Sequence, residues 1–384
     1  MRLKLILLIL SMIIFTLPVA MAEEGNAAID TGDTAWMIVA TALVMLMTVP
    51  GLALFYAGMS KRKSALNTMM MSFSAFAIAS IVWVVFGYSL AFSNDIGGII
   101  GDLSKFLLPV KGSIIGTIPE YLFVIFQLTF AAITLALISG AFVERMKFSS
   151  WIIFSILWIF LVYSPIAHWV WGGGFLGKIG TLDFAGGTVV HINAGIAALA
   201  GVILLGKRIE PVLIPHNTTL TMIGAGLLWF GWFGFNAGSA IASNELASIA
   251  FLNTILATSV AAITWMIVES ILFQKATAIG FSSGIISGLV AITPAAGFVN
   301  VVGSIAIGIV AGIIPILVIS YIKPVLGYDD ALDVFGIHGV SGILGSILTG
   351  IFADPTINPA GTGVLYGNIN QILVQTISVL IVIA

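Results

Sequence analysis

Two histidines and two aspartates, His191, His338, Asp183 and Asp333, lie inside or at the start of long apolar stretches. An ionisable group inside a bilayer costs at least a few kcal/mol, so its presence there points first to function. At 1.5 Å per helical residue, both imidazoles fall near the middle of a hydrocarbon core about 30 Å thick. The pattern predicts that His191 and His338 line a narrow path for a small polar solute.

The chemistry open to this pair is that of neutral imidazoles. Low dielectric and a like charge both oppose two protonated rings, so the pair is neutral or shares one proton. One ring nitrogen can then donate to its partner while the others face the path as donor and acceptor. Two alternatives stay open. Each histidine could simply hydrogen-bond a neighbouring helix, or the two could ligate zinc, for which no third ligand is near.

Asp183 and Asp333 each precede one histidine at the start of its segment. A carboxylate there accepts hydrogen bonds from free backbone N–H groups and suits the helix dipole, so capping is expected for both. Asp183 lies deeper, in the glycine-rich stretch 182–187, and is also expected to shape an entrance. For His168 and His216, near segment ends, interfacial solvation favours an ordinary structural role.

Two aromatic clusters lie near segment ends that should face outward, Trp169–Trp171 and Trp229–Phe235. Tryptophan belts commonly anchor a protein at the membrane interface. Aromatic faces also attract a small cation, by about 0.5–2 kcal/mol depending on desolvation. The residues alone leave both interpretations open.

The composition requires a membrane around these residues. Of 384 residues, 60% are hydrophobic and only 8% are charged, against about 25% charged in soluble proteins. The charged residues fall almost wholly between the long apolar runs, which excludes nucleic-acid binding, and the absence of cysteine excludes disulfides and thiolate chemistry. No GxxxxGK(S/T) nucleotide-binding motif is present. Without a nucleophile or metal set at a common depth, we expect neither an enzyme nor a cofactor.

Eleven apolar segments of spanning or near-spanning length follow one another. Each must be a helix, because a segment in hydrocarbon has to satisfy its own backbone hydrogen bonds, and none shows the alternation of a membrane barrel. The predicted fold is therefore an all-α integral membrane protein. The segments lie near 36–57, 65–92, 120–142, 149–170, 185–205, 218–240, 247–271, 279–293, 299–322, 334–352 and 369–384.

Residues 1–22 have the basic, apolar and small-residue zones of a signal peptide, with cleavage expected after Ala22; an uncleaved helix is the alternative. Residues 23–384 then form one membrane domain with its N-terminus outside. Under that orientation nine Lys and Arg residues lie in inner loops and three in outer loops, as the positive-inside rule requires. The eleventh segment is expected to be truncated and a cytoplasmic tail to be absent.

An odd number of helices fits a five-plus-five inverted repeat with one extra helix. In support, His191 in the fifth segment and His338 in the tenth are each followed four residues later by glycine.

At these residues the chain resembles the ammonium transporter family, which includes the Rhesus proteins. The resemblance covers about residue 33 to the end. It is carried by Pro50-Gly-Leu-Ala-Leu-Phe-Tyr56, Phe142-Val-Glu-Arg145, His168-Trp-Val-Trp-Gly-Gly-Gly174, Asp183-Phe-Ala-Gly-Gly-Thr-Val-Val-His-Ile-Asn193, Gly231-Trp-Phe-Gly-Phe-Asn-Ala-Gly-Ser239 and Asp333-Val-Phe-Gly-Ile-His-Gly339.

The resemblance implies a role for each matching residue. His191 and His338 correspond to the twin histidines of the pore, and Phe130 and Phe235 to the stacked phenyl gate at its outer mouth. Trp171, Ser239 and Phe130 correspond to the outer site that recruits ammonium, which Asp183 supports from behind.

The resemblance also implies an activity and partners. It predicts a homotrimeric ammonium transporter of the cell membrane, taking up nitrogen as ammonium, with methylammonium as an analogue and a PII-type nitrogen-signalling protein at the cytoplasmic face. Deprotonation at the entrance would let ammonia pass the histidines, with or without net proton transfer. The alternative is an ammonium sensor whose output tail is missing from this chain.

The basic-residue asymmetry predicts which loops an impermeant thiol reagent reaches. Because the chain has no native cysteine, Arg62→Cys and Lys111→Cys can be compared in intact cells. We expect labelling of the second and not the first. Labelling at position 62 from outside would overturn the orientation.

Overall fold

The computed structural model describes residues 29–210 and 214–384. The predicted signal peptide, residues 1–22, lies outside the described residues. Within them, nine helices are long and apolar enough to cross a membrane. They are α1 (Thr31–Met59), α2 (Ala65–Phe92), α3 (Glu120–Phe142), α4 (Phe148–Lys178, broken at 171–174), α5 (Gly187–Leu205), α6 (Thr218–Gly238), α7 (Glu245–Phe273), α9 (Val301–Leu326) and α10 (Phe335–Phe352).

Two shorter apolar helices, α8 (Ala278–Ile292) and α11 (Asn370–Ile383), occupy the places of the eighth and eleventh predicted segments. The predicted all-α membrane fold is confirmed. That all eleven helices cross the membrane, that the N-terminus is outside and that the halves form an inverted repeat stay predictions. Below, the outer end of the bundle is the end that carries Trp171 and Asp183, and the inner end is the end that carries Lys61 and Asp329, following the predicted orientation.

Several helices begin where a polar side chain caps their free N–H groups. Asn217 accepts from Leu220 N at 3.0 Å, Asn244 from Ala247 N at 3.1 Å, and Asn300 from Gly303 N at 3.1 Å. Each such cap is worth about 1 kcal/mol. The local sequence therefore fixes where α6, α7 and α9 start.

The two central histidines lie in irregular parts of their helices. Gly187–Ile192 and Phe335–Val340 are π-helical turns at the starts of α5 and α10. A π-helical turn shifts the direction of the side chains that follow and is frequent at functional sites.

Glycines let α5 and α10 cross in backbone contact beside these turns. A Cβ at Gly195 would lie 2.4 Å from the Cα of Gly339, closer than any side chain permits. Such small-residue crossings are how membrane helices approach closely. The crossing brings the two histidine-bearing turns together.

The outer connection between α2 and α3 holds two short antiparallel hairpins. They are β1 (Asp95–Ile96) with β2 (Ile100–Gly101), and β3 (Ile114–Ile115) with β4 (Ile118–Pro119). His168 on α4 joins the first hairpin to the bundle: its Nδ1 lies 2.9 Å from Ala91 O and its Nε2 3.0 Å from Asp95 Oδ1.

The expectation of an interfacially solvated His168 is thereby corrected, because the side chain is fully buried. Hydrogen bonds from His168 and Lys178 lower the pKa of Asp95 to about 2. His216, in contrast, has the structural role expected of it, with Nδ1 3.0 Å from Ser60 O.

A buried ion cluster ties the inner loops together. Asp329 Oδ1 lies 2.7 Å from Arg208 Nη2, and Asp329 Oδ2 lies 3.7 Å from Arg145 Nη1. Burial opposes ionisation of Asp329, but the hydrogen bonds and charge of Arg208, with the charge of Arg145, outweigh it and hold its pKa below the ordinary value.

Breaking this cluster should destabilise the fold. We expect Asp329→Asn to lower the free energy of unfolding by about 3 kcal/mol, because the buried guanidinium groups lose their counter-charge. Since the native pKa is depressed, the contribution is complete above the ordinary carboxyl pKa and is lost as pH falls through the lowered value. Thermal melting of the purified protein measures both effects.

The matched control is Glu210→Gln. Glu210 also pairs with lysines, Lys61 at 3.1 Å and Lys63 at 3.5 Å, but its side chain is 66% exposed. Exposed pairs contribute little, so its melting temperature should stay close to that of the unaltered protein. Equal losses of melting temperature in the two variants would show that burial does not increase the contribution of the Asp329 cluster to stability.

Candidate functional site

Two phenyl rings close the outer side of the bundle interior. Phe130 of α3 and Phe235 of α6 stack with centroids 4.2 Å apart and planes 18° apart. Both side chains are almost fully buried. Neither ring offers a hydrogen-bond partner, so a charged solute at this point would lose its hydration without replacement.

Above these rings lie the partly exposed side chains of Trp171 and Ser239. The Trp171 ring meets Phe130 edge to face, at 5.9 Å and 84°. The indole N–H is occupied by the Asp183 carbonyl at 2.9 Å, so the ring face is the part of Trp171 free to attract a cation. Ser239 Oγ donates to Phe235 O at 2.8 Å, which leaves its lone pairs available as acceptors.

Below the phenyl rings the structure brings the two predicted histidines together. The Nδ1 atoms of His191 and His338 are 3.3 Å apart, and the rings stack with centroids 5.4 Å apart. Both side chains are buried, and Nε2 of His191 has no hydrogen-bond partner among the described residues. Across the Nδ1 contact one ring must donate and the other accept, so the two rings hold opposite tautomers.

The aromatic and imidazole rings form a continuous series from the mouth to mid-bundle. Phe235, the second ring of the phenyl stack, lies 5.9 Å from His191 and so connects the stack to the imidazole pair. All five predicted rings, Trp171, Phe130, Phe235, His191 and His338, therefore belong to one arrangement. Ser239 joins it through the backbone of Phe235.

The sequence left open whether Trp232, in the cluster Trp229–Phe235, anchors the protein at the membrane interface. The structure excludes that role. Its ring stacks on His191 at 5.3 Å and 16°, and its Nε1 donates to Thr293 Oγ1 at 2.9 Å. The side chain is only 2% exposed. The available signal was its spacing of three residues from Phe235, which puts both rings on one helix face.

Asp183 caps the start of α5 as expected. Its two carboxylate oxygens accept from the backbone N–H groups of residues 186–189, at 2.7, 2.6, 2.8 and 3.2 Å, and from the Thr188 hydroxyl. Gly186 has φ 114°, a left-handed conformation that lets the chain turn over the carboxylate. A buried carboxylate is tolerated here because every oxygen is supplied with donors.

Asp333 was expected to cap α10 in the same way, and that expectation is wrong. Its carboxylate accepts from Lys323 Nζ at 2.6 Å, while Asp330 supplies the capping oxygen to Phe335 N at 2.7 Å. Asp333 has φ 57°, so the chain turns at this residue and directs its side chain toward α9. Asp329, Asp330 and Asp333 lie close together in the sequence, and the sequence alone does not show which of them caps α10.

The model of the Ammonium Transporter Family matches residues 35–384 of this chain. The chain belongs to that family. It is 58% identical over 367 residues to an ammonium transporter of Aquifex aeolicus, covering 94% of this chain and 86% of the relative. It is 51% identical over 353 residues to an ammonium transporter of Bacillus subtilis, covering 91% and 87%. The family makes the protein a multi-pass membrane transporter and not an enzyme.

Two solved structures share the fold. The crystal structure of Saccharomyces cerevisiae Mep2 matches with a TM-score of 0.88 at 38% identity, covering 93% of this chain and 83% of that one. A structure of a sensor Amt protein matches with a TM-score of 0.86 at 29% identity, covering 92% and 89%.

The capping role of Asp183 predicts a stability loss in Asp183→Asn. An amide has one acceptor oxygen and places its NH2 group against backbone donors, so buried N–H groups lose partners at a total cost of about 2–3 kcal/mol. Thr188→Val removes a single hydroxyl donor and should lower the melting temperature less. A larger loss in Thr188→Val would mean that the carboxylate does not organise this turn.

Proposed function

We propose that this protein carries ammonium across the cell membrane by recruiting the ion at Trp171, Ser239 and Phe130, removing one proton, and conducting ammonia past the phenyl gate to His191 and His338. The observation that carries the proposal is the stack of Phe130 on Phe235 beside two imidazoles in contact. A cation finds partners above this stack and none within it.

Recruitment follows from the groups left free at the mouth. The Trp171 face attracts a small cation, and the unused lone pairs of Ser239 accept an ammonium N–H. Both carboxylate oxygens of Asp183 are occupied by its own segment. Its part is therefore to orient the mouth, through the carbonyl that holds Trp171, and not to contact ammonium.

Deprotonation follows from the cost of moving a charge past the gate. Carrying NH4+ between two buried phenyl rings would cost several kcal/mol even after relaxation of the protein. Splitting NH4+ into NH3 and H+ at the mouth removes most of that cost for the species that enters. Ammonia both donates and accepts hydrogen bonds, so the opposite tautomers of the histidine pair can pass it along. It regains a proton at the inner end.

The proton has two possible routes, and each gives a different charge stoichiometry. Its return to the outside gives electroneutral ammonia conduction, whereas its passage along the imidazoles gives net ammonium uptake. Methylammonium, which can also deprotonate, should pass more slowly because its methyl group crowds the phenyl stack.

The assembly and its partners belong to the same proposal. Membership of the family supports a homotrimer with one pore per subunit, serving nitrogen uptake, and a PII-type protein bound at the inner face. The alternative of a sensor has weaker support. Identity to the sensor Amt protein is 29%, against 58% to the Aquifex transporter.

The deciding measurement is current and flux together in proteoliposomes given an ammonium gradient. We expect ammonium flux to persist in a large excess of potassium, with no potassium current, because potassium is of similar size but cannot lose a proton at the gate. A sizeable potassium current through the unaltered protein would show that a bare cation crosses, and the deprotonation step would have to be abandoned.

Variants of His191 and His338 test the imidazole pair, and His216→Ala is the matched control. His191→Ala or His338→Ala removes half of the polar pair and leaves the partner's hydrogen bond unmade, at about 1–3 kcal/mol, so ion selectivity or charge per ammonium should change. His216→Ala, at the inner loop, should leave both unchanged. Unaltered behaviour in the first two variants would remove the pair from the mechanism.

A further inference from the structure

One face of α11 carries polar side chains that are buried in an otherwise apolar helix. Gln371, Gln375 and Ser378 follow one another at spacings of four and three residues, so they lie on one side of the helix. Their exposed fractions are 6%, 0% and 0%. A buried amide without partners costs several kcal/mol, so each of these groups needs a specific acceptor or donor.

Their partners lie in the loop that leads to Asp183. Gln371 Nε2 donates to Gly180 O at 2.9 Å, and the hydroxyls of Ser378 and Thr181 are 2.6 Å apart. Gln375 binds both backbone polar groups of the next residue, Leu182. The Leu182 N–H donates to Gln375 Oε1 at 2.8 Å, and Gln375 Nε2 donates to Leu182 O at 2.8 Å. Nε2 also reaches Ser346 O of α10 at 2.9 Å.

The double hydrogen bond to Leu182 fixes the backbone immediately before Asp183. The backbone immediately after it is fixed as well, because Phe184 N donates to Pro294 O at 3.1 Å. Asp183 is thus held between two anchored peptide groups. Between those anchors its side chain caps α5, and its carbonyl accepts the indole N–H of Trp171.

We propose that Gln375 is a positioning residue for ammonium recruitment, acting through Leu182 and the Asp183 carbonyl on the orientation of the Trp171 ring. This inference rests on the proposed function of Trp171. Nothing in the sequence points to Gln375, because half the chain separates it from Asp183 and its helix carries neither His191 nor His338.

The role predicts an effect on apparent affinity without an effect on passage. Gln375→Met keeps the length of the side chain but removes both hydrogen bonds to Leu182, so Trp171 loses its fixed acceptor. In proteoliposomes we expect the half-saturating ammonium concentration to rise roughly three- to tenfold, the worth of about one hydrogen bond. Maximal flux and potassium exclusion should be unchanged, because the hydrogen bonds described for Gln375 go to Leu182, Gln371 and Ser346 and not to the phenyl rings or the histidines.

Thr376→Val is the matched control on the same helix. The Thr376 hydroxyl donates only to Ile372 O of its own helix, at 2.7 Å, so its loss should leave the half-saturating concentration unchanged. If Gln375→Met does not yield folded protein, Ser378→Ala leaves Gln375 in place and removes the hydroxyl that contacts Thr181 and donates to Val374 O of its own helix. It should shift the half-saturating concentration in the same direction by a smaller factor.

A double variant separates positioning from general damage. Trp171→Phe lacks the indole N–H that Asp183 O accepts, so adding Gln375→Met to it should raise the half-saturating concentration no further. If the two effects multiply, or if Gln375→Met lowers maximal flux while half-saturation is unchanged, the positioning role is wrong. Failure of the unaltered protein to transport ammonium would overturn the proposed function itself, which is a different result.

Discussion

The cost of placing charge in hydrocarbon governs the whole arrangement of this protein. Among the described residues, every Asp, Glu, Lys and Arg lies outside the helices or within five residues of a helix end. At mid-bundle the described residues bring the imidazoles of His191 and His338 into contact. A cation offered to this path has no fixed counter-charge to meet it. The proposed loss of a proton before the phenyl stack answers this cost, because the species that passes between the rings is then uncharged.

The same cost applies to uncharged polar groups, and it explains why the groups around Trp171 and Asp183 are hydrogen-bonded to one another. The Asp183 carboxylate is surrounded by donors, Leu182 is paired with Gln375, and Trp232 is paired with Thr293. Each pairing satisfies a group that would otherwise be buried without a partner. Each also fixes the ring or loop to which it belongs. If Trp171 recruits ammonium as proposed, the orientation of its ring depends on hydrogen bonds that the solute does not contact.

Close backbone packing sets the geometry of the two histidines below the phenyl rings. The crossing at Gly195 and Gly339, next to two π-helical turns, places the imidazoles in contact although they belong to helices far apart in sequence. A side chain at Gly195 would meet the backbone of Gly339, so it would separate α5 from α10 and open the Nδ1 contact. The small residues are as necessary to the histidine pair as the histidines themselves.

The sequence by itself determined the membrane class, the helical segments and the residues from which the site is built. It could do so because a bilayer permits few backbone structures and tolerates few polar residues, so apolar length and misplaced imidazoles are strong signals. Only the tertiary structure decided which polar and aromatic groups pair with one another. Asp330 and not Asp333 caps α10, His168 is buried against Asp95, Trp232 lies on His191, and Gln375 holds Leu182. These pairings join residues from separate helices, and spacing along one helix carries no information about the partner that faces it across the bundle.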